Sequence, residues 1–167
     1  MGRLLVSILL GLLLYPTRGN GEDRTWSIDK RRLQQEPIEI SARQLELRRK
    51  DNIAFYSGDV LATQGDYTLR SQRLEMRWDP ETGKVSTFTA RDGVRLETGD
   101  GRVATAGEAV VDLASQSIVM SQSPRMIQAG ESVEGDRIIY SIAERKSTVL
   151  GGKGGQVKTW VIPGGKP

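Results

Sequence analysis

The chain has 167 residues, a length typical of a single domain, and its 24 basic and 21 acidic residues give a formal net charge of +3. It contains neither cysteine nor histidine, which excludes disulfides, thiolate metal ligands and any catalytic arrangement that needs an imidazole. A Ser–Lys pair or a two-carboxylate site remains open on composition alone, but we predict no catalytic residue, no metal and no cofactor.

Residues 1–20 are predicted to be a secretion signal peptide. Arg3 supplies the positive charge at its start, and the apolar run Leu4–Tyr15 has the length of a signal-peptide core, shorter than the ~20 residues that a membrane-spanning helix needs. A short uncleaved anchor is the alternative. Once this segment is removed with Arg3 and Arg18, 22 basic residues stand against 21 acidic ones, which argues against a nucleic-acid partner.

The next part of the chain changes in character at residue 37. Residues 21–36 are polar and lack periodicity, so we predict a linker there. From residue 37 onward, short segments alternate apolar and polar residues and are separated by Gly, Asp, Asn, Ser or Gln, a pattern typical of half-buried antiparallel strands. Turn signals stand at 49–52 and 79–83. We therefore predict an all-β domain over 37–163, followed by a tail at 164–167.

An eight-residue motif recurs four times in this domain: apolar, any, small, any, any, apolar, any, apolar. Its copies are Ile40–Leu47, Leu69–Met76, Ala104–Val111 and Val133–Tyr140. The small residue predicts a point where the strand bends or a neighbour approaches closely, and the last two apolar positions predict side chains on one face. Four such units favour an elongated, solenoid-like jelly roll over a compact immunoglobulin sandwich, whose Trp and Cys signature is absent.

Several of these segments together resemble the LptA/OstA family of periplasmic lipopolysaccharide-transport proteins. The resemblance begins in Pro37–Leu47, Tyr56–Asp66 and Leu69–Met76. It continues with the GDxIxY element at Gly135–Tyr140 and the closing segment Gln156–Pro163. The family implies an elongated, slightly twisted antiparallel β-jelly roll (OstA-like), open along one side, that binds the lipid A acyl chains of lipopolysaccharide in its interior.

The same resemblance implies location and partners. Members work in the periplasm of Gram-negative bacteria, in a bridge that moves lipopolysaccharide from the inner to the outer membrane. The implied partners are lipopolysaccharide, an inner-membrane LptC-like protein, an outer-membrane LptD-like translocon and further copies of the chain joined head to tail. Two other functions stay open: a membrane-anchored LptC-like bridge component and, in a different class, a secreted polysaccharide-active β-sandwich enzyme.

One phase of the alternation predicts an inward, lipid-binding face. An ordinary sandwich core would use the same aliphatic residues, but three Trp, four Tyr and two Phe in the whole chain are few for a closed core of this size. The predicted lipid-binding residues are Ile38, Ile40, Leu45, Leu47, Val60, Leu74, Met76, Val94, Leu96, Val111, Leu113 and Tyr140.

The two terminal strands of the domain are the candidates for assembly, because exposed strand edges are templates for pairing with another chain. The predicted assembly residues are Pro37, Ile38 and Ile40 at one end and Val157, Trp160 and Ile162 at the other.

The charged residues have less specific interpretations. The basic residues Arg48, Arg49 and Lys50, with Arg70, Arg73 and Arg77, are predicted to be solvated strand-end charges, with contact to lipid phosphates as the alternative. The carboxylates Asp59, Asp92 and Asp100 adjoin glycine, and we predict turn residues there and not the paired carboxylates of a glycosidase.

Overall fold

A computed structural model of the protein describes residues 37–152 and 155–162. The predicted signal peptide at 1–20, linker at 21–36 and tail at 164–167 lie outside the described residues. Within the described part of the chain, no helix is long and apolar enough to cross a membrane.

The described residues form twelve strands and one short 3-10 turn, in agreement with the predicted all-β class. The strands are β1 (Glu39–Ser41), β2 (Gln44–Arg48), β3 (Ile53–Gln64), β4 (Tyr67–Trp78), β5 (Val85–Thr98), β6 (Val103–Asp112), β7 (Ser117–Ser121), β8 (Arg125–Gln128), β9 (Glu131–Glu134), β10 (Arg137–Ser141), β11 (Lys146–Leu150) and β12 (Lys158–Trp160), and the 3-10 turn is Arg49–Asp51.

These strands make one antiparallel sheet with eight successive strand positions, which follow one another in chain order. Each of these positions within the sheet is called a layer below. The four long strands β3 to β6 are single layers, whereas β1 with β2, β7 with β8, β9 with β10 and β11 with β12 each share a layer. No strand pairing among the described residues joins the first layer to the last, so the sheet is open. Its two edges are β1 with β2 at one end and β11 with β12 at the other.

A crease crosses every layer at the same level. The pairing register breaks at residues 58–59 in β3, 71–72 in β4 and 92–93 in β5, and the short strands of the shared layers are separated at this level. Bulges of this kind bend a sheet and increase its twist. The small residues of the repeat lie at this crease, which confirms that part of the prediction: Ala42, Ser71, Ala106 and Gly135.

The crease divides the sheet into two half-sheets. The first half-sheet holds β1, β8, β9 and β12, the second holds β2, β7, β10 and β11, and the long strands contribute to both. Ala104 in the first half-sheet and Leu74 in the second have 0% and 2% of their surface exposed, which requires a cover over the inward face. Buried residues of both half-sheets belong to one hydrophobic cluster, so each half-sheet covers the other.

The hairpin turns of each half-sheet, opposite the crease, form a lip. The first lip consists of the turns at 64–67, 98–103 and 128–131, and the second lip of those at 48–53, 78–85, 112–117 and 141–146. The predicted turns at 49–52 and 79–83 are confirmed as hairpins of the second lip. Of the three carboxylates predicted to lie in turns, Asp100 does. The prediction is wrong for Asp59 and Asp92, which lie within β3 and β5 at bulges and not at chain reversals.

Candidate functional site

The inward face is arranged in continuous rows, because directly paired residues of antiparallel strands point to the same side of the sheet. The main row of the second half-sheet is Leu45, Tyr56, Leu74, Ala90, Ala109, Met120, Ile138 and Val149. The main row of the first half-sheet is Ile40, Ala62, Leu69, Leu96, Ala104, Met126, Val133 and Thr159. With one exception, Thr159, every member is apolar across all eight layers.

Ten of the twelve predicted inward residues lie in strands, and the register places them on this face. Seven belong to the hydrophobic cluster or pack against it: Ile40, Val60, Leu74, Val94, Leu96, Val111 and Tyr140. Met76 is half-buried beside them. Ile38, Leu45, Leu47 and Leu113 are exposed. The ten strand residues therefore share one side of the sheet, and their binding of lipid stays a prediction.

Exposure along the main row falls steeply from the β2 edge inward. Leu45 is 56% exposed, whereas Leu74, two strands further along the same row, is 2% exposed. Leu47 is exposed on the neighbouring inward position of β2. The apolar interior is thus covered in the middle of the roll and reaches solvent at the β1 and β2 end.

The opposite end of the roll carries a second group of exposed apolar side chains. Leu150, Trp160, Val161 and Ile162 lie there, and the Arg125 guanidinium stands 5.7 Å from the centre of the Trp160 ring. Of the predicted assembly residues, Pro37, Ile38, Trp160 and Ile162 are exposed, Ile40 is half-buried, and Val157 packs against the core cluster. Both edges of the sheet therefore end in apolar surface.

The carboxylates singled out in the sequence lie on the outside of the fold or in turns. Asp59 forms an ion pair with Arg43 and accepts a hydrogen bond of 3.2 Å from Gln72 Nε2. The hydrogen bond from Gln72 and then the charge of Arg43 lower the pKa of Asp59. The ion pair with Arg73 likewise lowers the pKa of Asp92.

These shifts bear directly on the glycosidase alternative. A glycosidase needs one carboxyl group whose pKa is raised, so that it stays protonated and acts as an acid. Asp59 and Asp92 are shifted the other way, and Asp100 forms a 2.9 Å ion pair with Arg102 in a hairpin. The described residues also hold no group of three or more acidic, Cys or His side chains suited to a metal ion.

The basic residues separate into two groups. Arg70, Arg73 and Arg77 point outward and form ion pairs with Glu97, Asp92 and Glu75. Arg48 and Arg49 lie instead at the second lip, where they line a pocket of about 230 Å³ with Leu47, Asn52, Ile53 and Trp78.

That pocket and several inward residues are not among the residues predicted from the sequence. Tyr56, Met120 and Ile118 lie in strands between copies of the repeat, and following the same alternation through those strands identifies them. The pocket has no signal in the sequence, because Trp78 reaches Leu47 only through the pairing of β2 and β4 with β3.

The described strands thus form an open antiparallel β-jelly roll with an apolar interior and two unpaired edges, and this defines the chain as a β-jelly-roll protein. The chain belongs to the LptA/(LptD N-terminal domain) family of LPS transport proteins, whose sequence model matches residues 39–146. It thus has a role in lipopolysaccharide transport.

Individual relatives agree with this assignment. The chain is 26% identical over 133 residues to the lipopolysaccharide export system protein LptA of Escherichia coli K12, covering 77% of this chain and 72% of the relative. It is 28% identical over 112 residues to the lipopolysaccharide export system protein LptH of Pseudomonas aeruginosa, covering 64% and 63%. The fold matches the crystal structure of LptH, the periplasmic LptA homologue of P. aeruginosa, with a TM-score of 0.67 at 20% identity, over 77% of this chain and 96% of that one.

Proposed function

We propose that the protein binds lipopolysaccharide through its lipid A acyl chains on the inward face and carries it across the periplasm. The observation that supports this most strongly is the unbroken apolar row that starts in solvent at Leu45 and continues into the covered interior. Each CH₂ group that leaves water on such a surface contributes about 0.8 kcal/mol.

The length of the row suits a hydrocarbon chain. Neighbouring strands lie about 4.8 Å apart, so eight layers give a row of roughly 34 Å. One leaflet of a bilayer has a hydrocarbon depth of about 15 Å, so a fully extended acyl chain fits along the row. Because the middle of the face is covered, entry beyond the first layers requires the two half-sheets to separate about the crease.

The two edges suit assembly into a bridge. Each layer is antiparallel to the next, and an even number of layers makes the first and last run in opposite directions. A second copy in the same orientation therefore presents β1 and β2 antiparallel to β11 and β12, and the inward rows continue from one copy to the next. By the same pairing, we propose an LptC-like protein and an LptD-like translocon as neighbours.

The relatives and the predicted signal peptide both support a periplasmic location. LptH is described as a periplasmic component of a lipopolysaccharide transport device. We propose that residues 1–20 direct this chain to the same compartment, that 21–36 is a linker, and that 37–163 is the transport domain.

Photo-crosslinking of lipopolysaccharide tests the lipid-binding face. A photoreactive amino acid is placed at inward Leu45 or Val111 and at their outward neighbours Glu46 or Val110 as matched controls. Val110 is equally apolar and half-buried, so it controls for hydrophobicity alone. We expect capture several-fold stronger at the inward positions. Equal or stronger capture at the outward positions would overturn the proposal.

A further inference from the structure

The two lips of the roll differ in chemistry. In the described hairpins of the first lip, the acidic residues are Asp66, Asp100 and Glu131. The only cation in those hairpins is Arg102, whose side chain is 6% exposed and forms an ion pair with Asp100. An anionic group that approaches the first lip therefore meets mostly negative charge.

The second lip has a basic region at the β2 end. Arg48, Arg49 and Lys50 follow one another there, and Asp51 is the one acidic residue of that hairpin. Arg48 is already engaged, because it forms an ion pair with Glu46 and its guanidinium lies 4.7 Å from the centre of the Phe55 ring.

Arg49 differs from Arg48 in this respect. It is exposed, and it makes no ion pair with any residue in the described part of the chain. It also lines the 230 Å³ pocket with the indole of Trp78 and the exposed Leu47. One wall of the pocket is therefore cationic and another is aromatic and aliphatic.

The backbone fixes the walls of this pocket. Asn52 adopts a left-handed conformation with φ of 54°, and its N–H donates to the Arg49 carbonyl at 3.3 Å. The Trp78 N–H donates to the Asn52 carbonyl at 3.0 Å. These two bonds join the backbones of Arg49, Asn52 and Trp78, so the chain segments that carry Arg49 and Trp78 lie side by side.

We propose that this pocket binds a phosphate group of the amphiphile whose acyl chains occupy the inward face, with Arg49 as the pairing cation. The inference rests on the proposed function and adds a headgroup subsite to it. A guanidinium is suited to bidentate pairing with phosphate oxygens. Leu47, which lines the pocket and lies on the inward side of β2, places apolar surface beside the cation, so one amphiphile can contact both.

Binding of purified lipid A to the exported full chain tests the subsite, with bisphosphorylated and dephosphorylated lipid A as probes. Loss of one charge-assisted contact predicts that R49Q weakens binding of the phosphorylated lipid about tenfold. Binding of the dephosphorylated lipid is expected to stay unchanged. R95Q is the matched control, since it removes one positive charge from the outward face of β5.

The outcomes separate the two proposals. Equal losses in R49Q and R95Q, or an equal loss of R49Q for both lipids, would overturn the subsite alone. Failure of the unaltered protein to bind either lipid would overturn the proposed function. Arg49-dependent binding of inorganic phosphate without lipid would assign the pocket to free phosphate and so overturn its role as a headgroup subsite. Unchanged thermal unfolding of R49Q, expected for an exposed side chain without an ion pair in the described part of the chain, excludes misfolding.

Discussion

Asp59 and Asp92 lie at the crease with φ values of 48° and 66°, a left-handed conformation that few residues other than glycine adopt readily. Aspartate and asparagine tolerate it best, because their short polar side chains can bond locally. Each carboxylate here pairs with an arginine of the neighbouring layer, Arg43 or Arg73. The glycine-adjacent aspartates of the sequence thus help to build the bend on which the roll depends.

The lowered pKa values of these carboxyl groups predict acid sensitivity. In the unfolded chain the pKa of an aspartate returns to about 3.8, and in the folded protein it lies lower. The stabilisation that the ionised carboxylates give to the folded protein is therefore complete well above pH 3.8. It is lost as the pH falls through the pKa values of the folded state. We expect D59N/D92N to lose less unfolding free energy between pH 7 and pH 3 than the unaltered protein, as measured by denaturant titration.

Asparagine keeps the left-handed backbone, so this double variant removes the charge with little added strain. E144Q serves as the control, because Glu144 stands in an exposed turn without an ion pair in the described residues. An identical pH dependence in D59N/D92N and the unaltered protein would show that the crease pairs do not contribute.

At the level of strands, the inward row predicts opposite effects for two leucines. Leu74 is buried in β4 and Leu45 is exposed in β2, although the two share one row. Removing a buried leucine side chain costs about 2–5 kcal/mol, whereas an exposed one costs about 0.5 kcal/mol or less. We expect L74A to lower the free energy of unfolding by the larger amount and L45A by the smaller. Similar losses in both variants would contradict the gradient of burial.

Much of this arrangement of strands can be predicted from the sequence, and the reasons are local. Period-2 alternation identifies which face of β2, β4, β6 and β10 points inward, and small residues such as Gly135 mark the crease. Alternation cannot distinguish a bulge from a turn, so the sequence predicts a turn at Asp92 where the structure has a bulge. It also cannot give the exposure of Leu45, because that depends on which strand lies at the edge. The pocket of Arg49 and Trp78 depends on the pairing of β2 and β4 with β3, which no local pattern encodes.

For the molecule as a whole, the even number of layers allows the unlike ends of two copies in the same orientation to pair antiparallel. The pairing of unlike ends is a heterologous contact and has no limit on length, whereas the pairing of like ends stops at two copies. The apolar residues Ile38 and Ile162 stand at opposite ends and are 41% and 53% exposed. If the ends pair as proposed, a charge at either position is expected to disable one end and to leave the other intact.

Mixing two such variants therefore tests head-to-tail assembly. We expect I38D and I162D each to be monomeric in sedimentation at concentrations where the unaltered protein forms larger species, because an aspartate at the edge must be desolvated for pairing. An equimolar mixture is expected to form dimers and nothing larger, since the intact β12 end of I38D can pair only with the intact β1 end of I162D. L113D, at an exposed position of the second lip, should assemble like the unaltered protein. Dimers of either variant alone would point to pairing of like ends, and the rows of the inward face would then not continue from one copy to the next along a bridge.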